Sequence, residues 1–129
     1  MIKKITKMSN QAMAYHMARL AFGASILVHG AVRFPKLSAF AEGLSGQFDE
    51  TIVAGFPALA LAYIIPFVEA GAGVMILAGR PLVRYGLAVV GLLMGVLMVG
   101  TGLIENWAIL PSQLLHLVFA YLLLYHLED

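Results

Sequence analysis

The sequence has no cysteine. Disulfides, thiol nucleophiles and thiolate metal sites are therefore excluded, and the redox state of the compartment leaves no mark on the chain. Charge is also scarce. Asp, Glu, Lys and Arg make up 12% of the residues, where a soluble domain has about 25%. The net charge is +1, too little for the electrostatic footprint of a nucleic-acid binder. There is no Gly-rich phosphate loop, no GxSxG nucleophile elbow and no pair of carboxylates on one helix. No two histidines stand at i, i+3 or i, i+4, so no metal signature is present. Internal repeats and low-complexity segments are missing too.

What remains is apolar. Hydrophobic residues account for 61% of the 129, and the mean hydropathy is +0.90. That composition suits a chain dissolved in a lipid bilayer. Four membrane-length runs stand out, at about 12–32, 58–78, 85–104 and 109–127, in a single integral membrane domain spanning 1–129. Pro57 and Pro111 are placed in the first turns of the second and fourth runs, where a missing N–H is harmless. Gly79-Arg80-Pro81 and Glu105-Asn106-Trp107 read as tight turns. The polar stretch 33–56 carries Leu37, Phe40, Ala41, Leu44 and Phe48 at helical spacing, which predicts a short interfacial helix broken around Gly43 and Gly46. The fold class expected is all-α, a transmembrane four-helix bundle with a short interfacial helix in the first outer loop. A cleaved signal peptide competes for the first run, but Arg33, Phe34 and Pro35 follow it where small residues would mark cleavage.

Four spans put both termini on one side. Lys3, Lys4, Lys7, Arg80 and Arg84 then share a face, while Arg33 and Lys36 lie opposite among Glu42, Asp49, Glu50 and Glu105. The positive-inside rule makes the termini cytoplasmic. Tyr15, Tyr85 and Tyr125 would mark that interface, and Tyr63 and Trp107 the outer one.

The chemistry centres on the run YIIPFVEAGAGVMILAG, residues 63–79. Glu69 lies near the middle of it, and a carboxylate in hydrocarbon costs on the order of 3 kcal/mol on insertion scales. Glu69 is therefore expected to face protein, with a partner or a proton. Ala62, Pro66, Glu69, Gly73, Ile76 and Arg80 fall on one helical stripe, which predicts where other helices meet. Pro66 cannot donate to the Ala62 carbonyl. His116 reaches a depth similar to Glu69, His29 lies near the outer end of the first span, and Arg19 sits about two turns in from the cytoplasmic face. Each of Arg19, His29 and His116 is placed to reach Glu69; equally, Arg19 can snorkel to headgroups and the histidines can bond between helices. His16 and His126 lie near membrane edges. In the third span Ala88, Gly91, Gly95, Met98 and Gly102 form a small-residue stripe. Gly91 and Gly95, a GxxxG pair, are expected to let two backbones approach within the chain or across a dimer.

At these residues the chain resembles the DoxX family of small bacterial four-span membrane proteins. The likeness is carried by Arg19-Leu20, Gly23, His29-Gly30, Phe34 and Lys36, and by Pro66, Glu69, Gly73, Leu77, Gly79 and Arg80 in PFVEAGAGVMILAGR. It covers about Tyr15 to the C-terminus, with the last two spans matching as generic apolar helices. The resemblance implies a helical bundle in the bacterial inner membrane and a link to membrane-bound redox systems. Family relatives include subunits of thiosulfate:quinone oxidoreductase and partners of superoxide dismutase and sulfurtransferase. The lack of cysteine removes thiol-relay chemistry from that expectation. A quinone is the cofactor this suggests, with His29 and His116 donating to its carbonyls, Glu69 passing protons and Arg19 or Lys36 steadying the reduced anion. Two other readings stand beside it: a membrane scaffold that anchors a peripheral partner, and a small proton-coupled exporter built on Glu69.

Overall fold

The computed structural model of the chain describes residues 6–127. Lys3 and Lys4, which carry part of the orientation argument, lie outside the described residues. Helix α1 runs Asn10–Ala31, a short 3-10 turn covers Phe34–Lys36, and α2 spans Leu37–Gly46. Three more helices follow: α3 Phe56–Ala78, α4 Val83–Leu103 and α5 Leu110–Tyr125. The architecture is all-helical, and no strand occurs among the described residues.

The boundaries have local causes. The Ser9 side chain caps α1, accepting from the Ala12 N–H at 3.1 Å, which satisfies one of the orphan donors of the first turn. Proline opens both α3 and α5. Gly79 ends α3 with φ at 77°, a left-handed conformation that glycine adopts without a Cβ penalty. The 23 residues of α3 and the 21 of α4 are long and apolar enough to cross a membrane. Helix α1 has 22 residues but carries His16, Arg19 and His29. Helix α5 is shorter than the expected 109–127, with 16 residues; at 1.5 Å per residue that is about 24 Å, against about 30 Å of hydrocarbon.

Helix α2 differs from its expectation in two ways. It continues through Gly43 and stops only at Gly46. It also packs against α3 instead of lying apart: Ala41 is fully buried, and the Tyr63 hydroxyl donates to Ser38 Oγ at 3.1 Å. Leu44 joins the core, and Phe48 leans on Gly100 of α4. Tyr15, expected at the interface, is buried in the core instead, its ring edge-on to His16.

The predicted stripe on α3 is where the helices meet. Ala62, Pro66, Glu69, Gly73 and Ile76 are all buried, whereas Arg80 lies past the helix end and is exposed. Helix α1 runs antiparallel along this stripe, and two glycines set the approach. A Cβ on Gly73 would collide with the backbone nitrogen of Leu27, and one on Gly30 with the carbonyl oxygen of Pro66. The GxxxG pair of α4 does not play this part. Gly91 makes only ordinary contact with Leu117 at 3.7 Å, and nothing approaches Gly95 within 4 Å. The sequence stripe is right in spacing, but the rotation of α4 turns Gly95 outward and points Val90, Leu93 and Met94 into the core instead.

Helix α3 packs on α4 and α4 on α5, but α1 and α5 touch only lightly. That leaves a crevice between the first and last helices.

Candidate functional site

The Glu69 carboxylate, 5% exposed, is met by Arg33. The Arg33 Nη1 donates to Glu69 Oε1 at 2.6 Å, a short charge-assisted bond. Arg33 follows α1 directly, and its guanidinium stacks over the Phe40 ring of α2, with Cζ 4.4 Å from the ring centre. The ion pair thus ties the segment that follows α1 to α3, with a ring of α2 against the guanidinium. Next to Arg33 in the chain, the Phe34 ring stacks on Phe67 at 5.0 Å. These ring contacts hold the chain segment that carries Arg33.

His29 and His116 gather at the same place. Their ring centres are 5.9 Å apart in edge-to-face contact. His29 directly precedes Gly30, whose backbone meets Pro66 and Ala70 on either side of Glu69 in the chain. Each imidazole is oriented by its own helix: His29 Nδ1 lies 2.7 Å from the Ser25 carbonyl oxygen and His116 Nδ1 2.7 Å from that of Ser112. A carbonyl oxygen only accepts, so both Nδ1 atoms carry hydrogen and each neutral ring has its lone pair at Nε2. The crevice between α1 and α5 has a volume of about 320 Å³ and is lined by Ala18, Ala21, Phe22, Ser25, His116 and Phe119. Phe22 spans it, with ring centres 6.1 Å from His116 and 6.3 Å from Phe119.

Two sequence candidates lie elsewhere. Arg19 does not reach Glu69. Its Nη1 donates to the carbonyl oxygens of Ile76 and Leu77 at 2.8 and 3.0 Å, and its Nε lies 3.4 Å from His16 Nδ1. The antiparallel register places it two turns below Glu69, at the C-terminal end of α3. There a cation satisfies orphan carbonyls and the negative end of the helix dipole. Arg19→Leu should cost about 1.5–3 kcal/mol through those charge-assisted bonds, read as a lower thermal unfolding midpoint by circular dichroism. Arg19→Lys should recover only part of it, because an ammonium cannot span two carbonyls as the planar fork does. An unchanged midpoint for Arg19→Leu would refute the capping role.

Lys36 is exposed in the 3-10 turn, and among the described residues it makes no ion pair and no side-chain hydrogen bond. The turn carries it past the cluster that Arg33 enters. Arg33 is the residue that sequence reading missed, having been counted as a loop charge. A signal was present: Arg33 stands four residues after His29 and three after Gly30, so a helix continued by one turn puts it on their face.

Comparison of the chain with family models, with curated proteins and with solved structures finds no match. The functional reading therefore rests on the geometry of this cluster and on the motif resemblance.

Proposed function

We propose that the chain is a DoxX-type integral membrane protein, a four-helix transmembrane bundle of a bacterial inner membrane with cytoplasmic termini, and that it serves an oxidoreductase system by holding a quinone. The observation that carries the reading is an ion pair on a buried carboxylate, Arg33–Glu69, together with two imidazoles in edge-to-face contact, one of which, His116, lines an apolar crevice.

Lipid is the solvent that suits the outer surface. Met17, Val28, Ile64, Phe67, Val74, Leu92, Val99 and Leu115 all stand exposed along the helices. A monomer in water rarely presents so continuous an apolar surface. A charged pair inside such a bundle points by default to function.

The crevice suits a flat ring. Phe22 and Phe119 offer faces for stacking, and His116 lies at its polar end. The imidazole geometry revises one expectation. With Nδ1–H committed to a carbonyl, a neutral imidazole presents a lone pair at Nε2. It accepts from the hydroxyls of a hydroquinone, and it donates to the carbonyls of a quinone only when doubly protonated. The quinone supplies the two-electron couple when bound. The chain's own part is to orient the ring, exclude water and keep acceptor nitrogens beside the oxygen atoms, while a partner subunit exchanges the electrons.

The test is binding of a short-chain ubiquinone, in both redox forms, to the purified full-length chain. The reduced form should bind more tightly, and His116→Leu should weaken it about tenfold, the worth of one well-made hydrogen bond. If neither form binds and no quinone is extracted from the protein as purified, the proposal fails.

A further inference from the structure

Phe22, Ser25 and His29 follow one another at i, i+3 and i+7, so they share one face of α1. His116 of α5 meets the first and the last of them, its ring centre 6.1 Å from that of Phe22 and 5.9 Å from that of His29. Ser25 therefore stands between these two contacts, at the level of His116. Both residues line the crevice between α1 and α5, and among the described residues they are the polar side chains that do so. Ser25 is exposed there.

The direction of its hydroxyl follows from a neighbour. His29 Nδ1 lies 2.7 Å from the Ser25 carbonyl oxygen and 3.5 Å from Ser25 Oγ. The carbonyl only accepts, so the nitrogen carries the hydrogen, and Oγ can turn only a lone pair toward it. The Ser25 O–H must point elsewhere. A helical serine can spend it on the carbonyl one turn back, here that of Ala21. That bond is not made: among the described residues Oγ meets only His29 Nδ1. A hydroxyl whose hydrogen is unspent beside apolar walls costs free energy until an acceptor arrives.

The two polar side chains of the crevice are thus complementary. Neutral His116 has a lone pair at Nε2 and its hydrogen committed to the Ser112 carbonyl, so it suits a hydroxyl. Ser25 has a hydrogen to give, so it suits a carbonyl. We propose that Ser25 is a carbonyl-binding donor in this crevice and that it holds the oxidised quinone, its O–H donating to a ring carbonyl. His116 answers the hydroquinone and Ser25 the quinone, and neither needs to change its charge. The donor role stands on the geometry of Ser25; the identity of the ligand rests on the quinone reading above.

The experiment uses the full-length chain in dodecyl maltoside, a detergent with no carbonyl to compete. Two flat probes that carry no redox chemistry are titrated, 2-acetylnaphthalene and 2-ethylnaphthalene, which differ in having or lacking the acceptor. The ratio of ketone to hydrocarbon affinity should fall about fivefold in Ser25→Ala, the selectivity that one neutral hydrogen bond provides, and Ser25→Thr should restore it. The infrared carbonyl stretch of the bound ketone should lie lower in wild type than in Ser25→Ala. Alanine is the better helix former, so the variant should keep its helicity. Short-chain ubiquinone is then titrated in both redox forms. Ser25→Ala should weaken the oxidised form about fivefold and the hydroquinone clearly less. An unchanged affinity ratio with an unchanged carbonyl band overturns the donor role even where ubiquinone binds. Loss of ubiquinone binding in both forms, with the ketone still selected through Ser25, overturns the quinone assignment and upholds the donor. Added phosphatidylcholine, the other source of carbonyls, should not displace the ketone; displacement would give Ser25 to lipid and overturn the quinone assignment.

Discussion

Replacing Arg33 with alanine is expected to destabilise the chain by about 3–5 kcal/mol, the cost of breaking a buried ion pair from one side. The carboxylate left behind is almost fully buried, at 5% exposure, and its short bond to Arg33 is the only side-chain hydrogen bond it makes among the described residues. The stacking of the guanidinium on Phe40 disappears with it, and α2 loses a tie to the bundle. The loss should be asymmetric. The Arg33 side chain is 27% exposed and can turn toward water once Glu69 is gone, so Glu69→Gln should cost clearly less. Arg33→Leu combined with Glu69→Leu should recover most of the loss, since a well-packed apolar pair often replaces a buried ion pair without penalty. The measurement is a double-mutant cycle on unfolding midpoints in mixed detergent micelles. An Arg33→Ala chain within about 0.5 kcal/mol of wild type, the range of an ordinary surface substitution, would mean that the pair is not the structural centre described here.

Gly30→Ala should be nearly as damaging, at about 3 kcal/mol, the upper end of the cost of overpacking. The reason is what a methyl group would meet. The Pro66 carbonyl oxygen is in its path and the Ala70 backbone nitrogen lies 2.6 Å away. Both are helix backbone, which cannot swing aside as a side chain can. The methyl would push α1 off α3 at the level where Arg33 reaches Glu69. The ion pair should therefore lengthen, and the effects of Gly30→Ala and Arg33→Ala should be less than additive. Gly95→Ala is the matching control. With open space around it, it should be neutral or stabilising by up to about 1 kcal/mol through helix propensity. Equal effects at the two glycines, on the same unfolding measurement, would show that the α1–α3 approach is not limiting.

This reliance on glycine has a physical basis in the lipid reading. Between helices in hydrocarbon there is no hydrophobic drive to associate, so close backbone packing and polar contacts must hold them. Gly30 and Gly73 supply the first, and the Arg33–Glu69 pair and the Arg19 cap supply the second. Cavity or contact changes along α1 and α3 should thus matter more than those on the outward face of α4.

How far the residues alone reached can be judged at particular positions. The apolar runs and the prolines at 57 and 111 located the helices within a few residues, because hydropathy and a missing N–H act locally. The α3 stripe was legible from the 3.6-residue period, and a carboxylate in the middle of it had to be buried against a partner. Its partner was not legible. Arg19 lost to Arg33 because the antiparallel register of α1 on α3 decides which cation arrives at the level of Glu69, and that register depends on backbone contacts at Gly30 and Gly73. The α4 glycines bring no two backbones together within the chain for a related reason: spacing specifies a face but not the direction in which the face points.

By itself, then, the amino-acid order determined an all-helical chain, where its helices begin, and which acid among them required a partner, since each of these follows from the chemistry of single residues and short periods. Only the tertiary structure decided that Arg33 answers Glu69, that the rings of His29 and His116 meet edge to face, and that a hollow opens between α2, α3, α4 and α5. Those depend on helix rotation and register, which arise from contacts between residues far apart in the chain.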